Sequence, residues 1–240
     1  MEKLLNQMVR KLCNAAGANL STVALYGSAA AGEFQPEHSD LNLLCLLRCV
    51  DPAELRKLHS SVRWWSRRGH PAPLFFTLEE IVSAADLYAI ELMEIKSHRR
   101  ILFGEDSFES LDVPDRLHRQ QVERELRQSL IRLRQGYVAA AEDEKALRKL
   151  MLRSLSTFGL LFRHALIALG DAAPHSKSEA VERLAERLSF DPSGFRELFE
   201  VRHGKRRERD MNARAVFDRY LEGVTRAANG VDEKFAALSR

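Results

Sequence analysis

Hydrophobic and polar residues follow two different rhythms along this chain of 240 residues. In the first half, short apolar runs typical of strands alternate with segments of helical spacing. The strand-like runs lie at residues 22–26, 41–47, 71–76 and 99–103. An amphipathic helix that ends near Gly17 precedes them, a second helix is predicted over 52–68, and residues 77–80 fit a capping box that opens another helix. This order predicts a small mixed β-sheet with helices packed on it.

After Pro114 the spacing becomes helical throughout. A first helix has one buried stripe, with apolar residues at three- to five-residue steps: Leu117, Val122, Leu126, Leu130, Leu133 and Tyr137. Four further helical patterns follow at residues 144–169, 178–188, 192–201 and 213–238. The sequence therefore predicts an α+β chain, in which a small mixed-sheet domain (1–112) precedes an all-α bundle of five helices (113–240).

Composition is that of an ordinary globular protein, with 45% hydrophobic and 30% charged residues. No uninterrupted apolar run approaches the roughly 20 residues that span a bilayer, so we expect no membrane partner. The N-terminus lacks the pattern of a secretion signal. The three cysteines (Cys13, Cys45 and Cys49) fall in no metal or redox spacing. We expect reduced thiols in a cytoplasmic protein.

Charge is unevenly distributed between the two halves. Residues 1–112 contain 12 Lys/Arg and 15 Asp/Glu, whereas residues 113–240 contain 25 and 19. The excess of cations in the second half is best explained by solvated helix faces. Nucleic-acid binding by this half is the alternative, and it depends on charge alone.

A second cationic feature lies at the end of the helix predicted over 52–68. Arginines at 63, 67 and 68 and His70 flank the pair Trp64-Trp65. Cations beside aromatic rings are suited to stacking on a nucleotide or an RNA base. Packing of the two indoles, with arginines that complement the helix dipole, is the simpler interpretation.

One segment, residues 25–47, carries candidate chemistry. A strand leads into Gly27-Ser28, where backbone N–H groups at a turn and a serine hydroxyl favour a phosphate. A small-residue stretch reaches Gly32, and the next strand begins with Asp40-Leu41-Asn42. Residues i and i+2 of a strand share a face, so the side chains of Asp40 and Asn42 offer two oxygen ligands for one Mg²⁺.

These residues resemble the signature of the DNA-polymerase-β-like nucleotidyltransferase superfamily, above all its small kanamycin-nucleotidyltransferase-like bacterial members. The resemblance rests on Gly-Ser, a small-residue turn with Gly32, and Ser-Asp-x-(Asp) at the head of an apolar strand. It implies a compact catalytic domain before a helical one, and transfer of a nucleoside monophosphate from a nucleoside triphosphate to a hydroxyl. It also implies that Gly27, Ser28 and Gly32 bind the nucleotide, that Asp40 is catalytic, and that Asp40 and Asn42 hold Mg²⁺.

The chain departs from the family pattern of three carboxylates at two positions. The second carboxylate position holds Asn42, whose amide oxygen is neutral. The strand expected to bear the third, 71–76, contains none, and four carboxylates remain as alternatives: Glu79, Glu80, Glu91 and Glu94.

Two functional hypotheses follow from these departures. In the first, the protein binds Mg-nucleoside triphosphate and transfers its nucleotide to an unidentified hydroxyl acceptor, which is a small compound, a protein or an RNA end. In the second, it is a catalytically degenerate nucleotidyltransferase that senses nucleotide or binds a protein partner.

Overall fold

A computed structural model gives the fold of residues 1–32, 40–83, 88–109, 111–140 and 142–238, with Ser28 described by its backbone alone. The chain divides into two compact units, residues 1–117 and residues 118–240.

The first unit is a four-stranded sheet flanked by helices. Its elements are, in chain order, α1 (Glu2–Ala16), β1 (Leu20–Tyr26), β2 (Asn42–Leu47), α2 (Pro52–Ser66), β3 (Leu74–Phe76), α3 (Leu78–Ser83), α4 (Ala89–Ser97) and β4 (Arg99–Gly104). The strand order is β3-β2-β1-β4. Strand β1 is antiparallel to β2 and β4, whereas β2 and β3 are parallel. The predicted mixed sheet is thus confirmed.

Each face of this sheet has its own core, because alternate side chains of a strand point to opposite faces. On one face, residues of α1 and α2 pack on the odd-numbered positions of the central strands, among them Leu12, Val23, Leu25, Leu43 and Trp65. On the other, residues of α3 and α4 pack on even-numbered positions, among them Ala24, Leu44, Leu46, Ile81 and Leu92. Strand β2 is therefore buried on both faces, as its apolar run predicted.

Strand β3 is shorter than the predicted run of 71–76. Pro71 and Pro73 have no backbone N–H to donate to a ladder, so pairing begins only at Leu74. The capping box predicted after this strand is confirmed. The Thr77 N–H donates to Glu80 Oε2 at 2.7 Å, and the Glu80 N–H donates to Thr77 Oγ1 at 3.0 Å.

The second unit contains helices and no strand among its described residues. Its helices are α5 (Asp115–Ala140), α6 (Glu144–Ala168), α7 (Lys177–Leu188), α8 (Ser193–Arg202) and α9 (Ala213–Leu238). Aromatic rings of α6, α8 and α9 form the centre of its core, where Phe158, Phe195 and Tyr220 are fully buried. Helix α6 is long and apolar enough to cross a membrane by length and composition, but 56% of that stretch is buried inside the protein. Burial of this kind is typical of a core helix.

Candidate functional site

The candidate site is built at the end of β1, where the chain turns sharply. A 3₁₀ turn spans Gly27–Ala29, and the Gly27 carbonyl accepts hydrogen bonds from the N–H groups of Ala30 and Ala31 at 2.9 and 3.0 Å. Gly27 has φ +74°, in the left-handed region where a Cβ is unfavourable. The turn therefore requires glycine at this position on conformational grounds.

Asn42 lies directly beside Gly27. The residue before the turn, Tyr26, is the register partner of Asn42 in the antiparallel pair of β1 and β2. A Cβ on Gly27 would come within 3.1 Å of Asn42 Nδ2, which is closer than ordinary van der Waals contact. Two of the residues predicted for the site, Gly27 and Asn42, are thus brought together.

Asp40 is exposed, two residues before Asn42. The residue between them, Leu41, is buried, and its N–H donates to His70 Nδ1 at 3.4 Å. The His70 ring packs against Trp65, with 4.6 Å between ring centroids. Burial lowers the pKa of His70, and the negative charge of Asp40 partly opposes that shift. His70, just beyond the end of α2, therefore lies near Asp40 and has a pKa below its usual value.

The other two predicted residues are placed less fully. Gly32 is exposed in a turn with φ +80°, and a Cβ there would meet no atom within 4 Å. Residues 33–39, which join Gly32 to Asp40, and the Ser28 side chain lie outside the described part of the chain. The approach of Ser28 and Gly32 to the predicted metal ligands, Asp40 and Asn42, stays a prediction.

The ligand set can be tested against Mg²⁺, which prefers oxygen donors and retains several waters. Asp40 and Asn42 supply one carboxylate and one amide. Continuing the parallel register of Leu44 and Leu74 back by two residues brings Ala72 level with Asn42, so the neighbouring strand adds no carboxylate. Among the described residues, no cluster of three or more His, Cys, Asp or Glu side chains is arranged to hold a metal. The ligands within the described residues fit one Mg²⁺ that arrives with a nucleotide, and by themselves they do not fit a two-metal centre.

The four alternative carboxylates can now be separated. Glu80 caps α3, and Glu79 is exposed on the same helix. Glu94 is buried on α4. Glu91, half-buried on α4, lies one helical turn before Ile95, which packs in the core on the sheet face that Leu44 and Asn42 share. Of the four, Glu91 alone combines that face with partial exposure.

Tyr26, the residue before the turn, lies close enough to Glu91 to be affected by its charge. Burial, and after it the negative charge of Glu91, raises the pKa of Tyr26 to about 12. The phenol is therefore protonated at neutral pH, next to Gly27 in sequence and to Asn42 in register. From the sequence, Tyr26 is predicted only as the last residue of a β-favouring strand, because no local pattern indicates its proximity to Glu91.

Comparisons with known proteins bear on the fold. No protein-family model matches the chain, and no curated protein matches its sequence. Among solved structures, the chain is similar to a spectinomycin adenyltransferase from Enterococcus faecialis, determined with ATP and spectinomycin. The similarity covers 93% of this chain and 99% of that one, with a TM-score of 0.58 and 15% sequence identity. At this identity the likeness shows a shared fold alone, and at 93% coverage it includes residues of both units.

Proposed function

We propose that the first unit binds a magnesium nucleoside triphosphate where β1 ends and β2 begins. In this proposal Gly27, Ser28 and Gly32 bind the phosphates, and Asp40 with Asn42 holds the cation. When bound, Mg²⁺ neutralises charge on the phosphates and so makes the α-phosphorus more open to attack.

One observation carries the proposal, namely the contact between the Gly27 turn and Asn42. The turn places glycine, with its small size and left-handed backbone, beside the first oxygen-bearing side chain of β2. A phosphate chain can approach a backbone closely only where no side chain intervenes. The exposed carboxylate of Asp40 lies two residues away along the same segment.

The reaction proposed for this site is nucleotidyl transfer to a hydroxyl. The acceptor oxygen forms a bond to the α-phosphorus, the bond from that phosphorus to the bridging oxygen breaks, and pyrophosphate leaves. The acceptor proton must pass to a base, and we assign that role to Glu91 because it is half-buried on α4, one turn before Ile95, which packs on the sheet face of Asn42. The likeness to an ATP-bound adenyltransferase supports this class of reaction.

A second candidate function is non-catalytic, as a nucleotide sensor or a protein-interaction module. The ligand set favours it, because Asn42 is neutral and Pro71-Ala72-Pro73 leaves the start of β3 without a carboxylate. In this case the nucleotide binds but no nucleotide is transferred.

Nucleotide binding is tested by isothermal titration of the protein with each of the four Mg-nucleoside triphosphates. We expect Asp40→Ala to weaken the affinity for the tightest-binding nucleotide by at least about tenfold, which is the effect of losing one charge-assisted contact. The matched control is Asp112→Ala, the same change at another exposed aspartate of the first unit. Equal affinities of wild type and Asp40→Ala would remove Asp40 from the site.

Catalysis is tested separately with an α-labelled triphosphate in lysate. Transfer of label to an acceptor by wild type, lost in Glu91→Gln with nucleotide affinity retained, would support the first function. Binding without transfer by wild type would support the second.

A further inference from the structure

The surface between α1 and α2 contains a strongly basic groove, which we call the α1–α2 groove. It is a cavity of about 480 Å³ lined by Lys11, His59, Ser60, Arg63, Trp64, Arg67 and Arg68. Four of these seven residues are permanent cations and none is acidic. The first unit nevertheless has more acidic than basic residues up to position 112, so the cations are concentrated here against the average.

The four cations are exposed, and none forms an ion pair with a carboxylate of the described residues. The carboxylates of α2 lie at its other end, where Asp51 caps the helix and Glu54 pairs with Lys57. The helix dipole explains cations in the last turn of α2. It does not explain Lys11, which comes from α1 and adds to the same charge.

An aromatic ring lies among these cations. Trp64 is half-buried, the Arg68 guanidinium carbon is 3.8 Å from its ring centroid, and Lys11 Nζ is 5.2 Å from it. The Arg68 side chain is fixed there, because its Nη1 donates to the Trp64 carbonyl at 2.8 Å. A fixed guanidinium stacked on an indole presents a flat, cationic platform.

We propose that the α1–α2 groove binds single-stranded nucleic acid. Cations spaced along a helix face follow a phosphate backbone, and an aromatic ring with a stacked guanidinium provides a platform for a base. An acidic polypeptide offers the same charge but no flat ring for this platform. The groove contains no residue of the nucleotide site, so this inference goes beyond the proposed function and does not depend on it.

The test measures binding of fluorescein-labelled 20-nucleotide RNA and DNA strands of one sequence, by anisotropy, without Mg²⁺ or nucleoside triphosphate. Contacts to four phosphates predict that log K falls with log salt at a slope of roughly −3, since each contributes about −0.7 for single strands. Arg63→Ala with Arg67→Ala removes two exposed cations and leaves two phosphate contacts, so we expect a shallower slope of roughly −1.4. The matched control is Arg124→Ala with Arg226→Ala, which removes two ion-paired arginines of the second unit and should keep the wild-type slope.

A second readout comes from tryptophan fluorescence. The protein has two tryptophans, and Trp65 is fully buried, so quenching by an unlabelled strand reports on Trp64. We expect quenching in wild type, its loss in Trp64→Phe, and an affinity about fivefold or more weaker in that variant.

Binding of either the RNA or the DNA strand, with the expected slopes and quenching, supports the inference. The strand that binds with higher affinity identifies the ligand. An unchanged slope in the Arg63/Arg67 variant would overturn it. So would equal competition by poly-glutamate without any quenching, because the groove would then recognise acidic polypeptide or charge alone.

Discussion

At the scale of single residues, the candidate site depends on how closely Gly27 and Asn42 approach. A side chain at position 27 meets two separate penalties: a backbone with φ +74° and a 3.1 Å contact with the Asn42 amide. Only the second involves the proposed site, so the two effects can be separated by experiment.

Gly27→Ala should therefore lower both stability and nucleotide affinity. The left-handed backbone costs about 1–2 kcal/mol with a Cβ, which urea denaturation would measure. The matched control is Gly170→Ala, with φ +86° and no atom within 4 Å of the new Cβ. Gly27→Ala should lose at least as much free energy of unfolding as Gly170→Ala, because it adds the contact with Asn42, and Gly27→Ala alone should weaken Mg-nucleotide binding. Equal nucleotide affinity of the two variants would contradict a site at Gly27.

Asn42→Asp restores a carboxylate at the head of β2. A second negative charge near Asp40 should raise the affinity for Mg²⁺, so the variant should bind nucleotide at lower Mg²⁺ concentration than wild type. Calorimetric titration over a series of Mg²⁺ concentrations measures the shift, with Asn42→Gln as the neutral control. An unchanged Mg²⁺ dependence would remove Asn42 from the site.

At the scale of elements, the turn between β3 and α3 shows how local chemistry limits the strand beside the site. Pro71 and Pro73 shorten β3, and the Thr77–Glu80 capping box begins α3 immediately after it. We expect Thr77→Ala to reduce the free energy of unfolding by about 1 kcal/mol, because the Glu80 N–H loses its acceptor. Urea denaturation monitored by circular dichroism measures this loss, and Thr77→Ser, which keeps the hydroxyl, should lose less than half as much. Equal losses in the two variants would show that the cap contributes little.

Helices α5 and α6 are joined by a buried histidine pair. His118 Nε2 and His164 Nδ1 are 2.9 Å apart, and both side chains are buried. Burial, followed by the charges of His164 and Arg119, lowers the pKa of His118 from 6.5 to about 3. The unfolded chain therefore binds a proton that the folded protein does not, over the interval between these values.

The contribution of neutral His118 to the free energy of unfolding should accordingly be fully present above pH 6.5 and should be lost as the pH falls toward 3. Urea denaturation at pH 7, 5.5 and 4 measures this, and His118→Gln should lose less free energy of unfolding than wild type between pH 7 and 4. The matched control is His175→Gln, at an exposed histidine of the same unit, which should follow wild type. An identical pH dependence in His118→Gln and wild type would mean that His118 does not titrate as described.

At the scale of the whole molecule, periodicity was enough to predict the order of strands and helices. Each central strand has an apolar run, and each long helix has a stripe or a recognisable end, such as Asp51 at the start of α2 and Asp143 at the start of α6. Helix α4 was the exception. Its own apolar residues are not confined to one side, and its polar residue Glu94 is buried. The sequence of α4 therefore lacks the amphipathic pattern that marks a helix.

Contacts between distant residues could not be predicted in the same way. Lys11 joins Trp64 across 53 positions of sequence, and His118 joins His164 across 46. No local pattern marks such pairs, because they arise only when helices pack. The motif at 27–42 was recognisable because its residues act close to one another in sequence.

The central claim is that the Gly27 turn and the head of β2 form one nucleotide site. A crystal structure of the protein with Mg²⁺ and a non-hydrolysable triphosphate analogue tests this most directly. We predict a Mg²⁺ ion about 2.1 Å from an Asp40 carboxylate oxygen, with the triphosphate against the backbone of Gly27 and Ser28. An analogue bound elsewhere on the molecule, or a metal held without Asp40, would contradict the account.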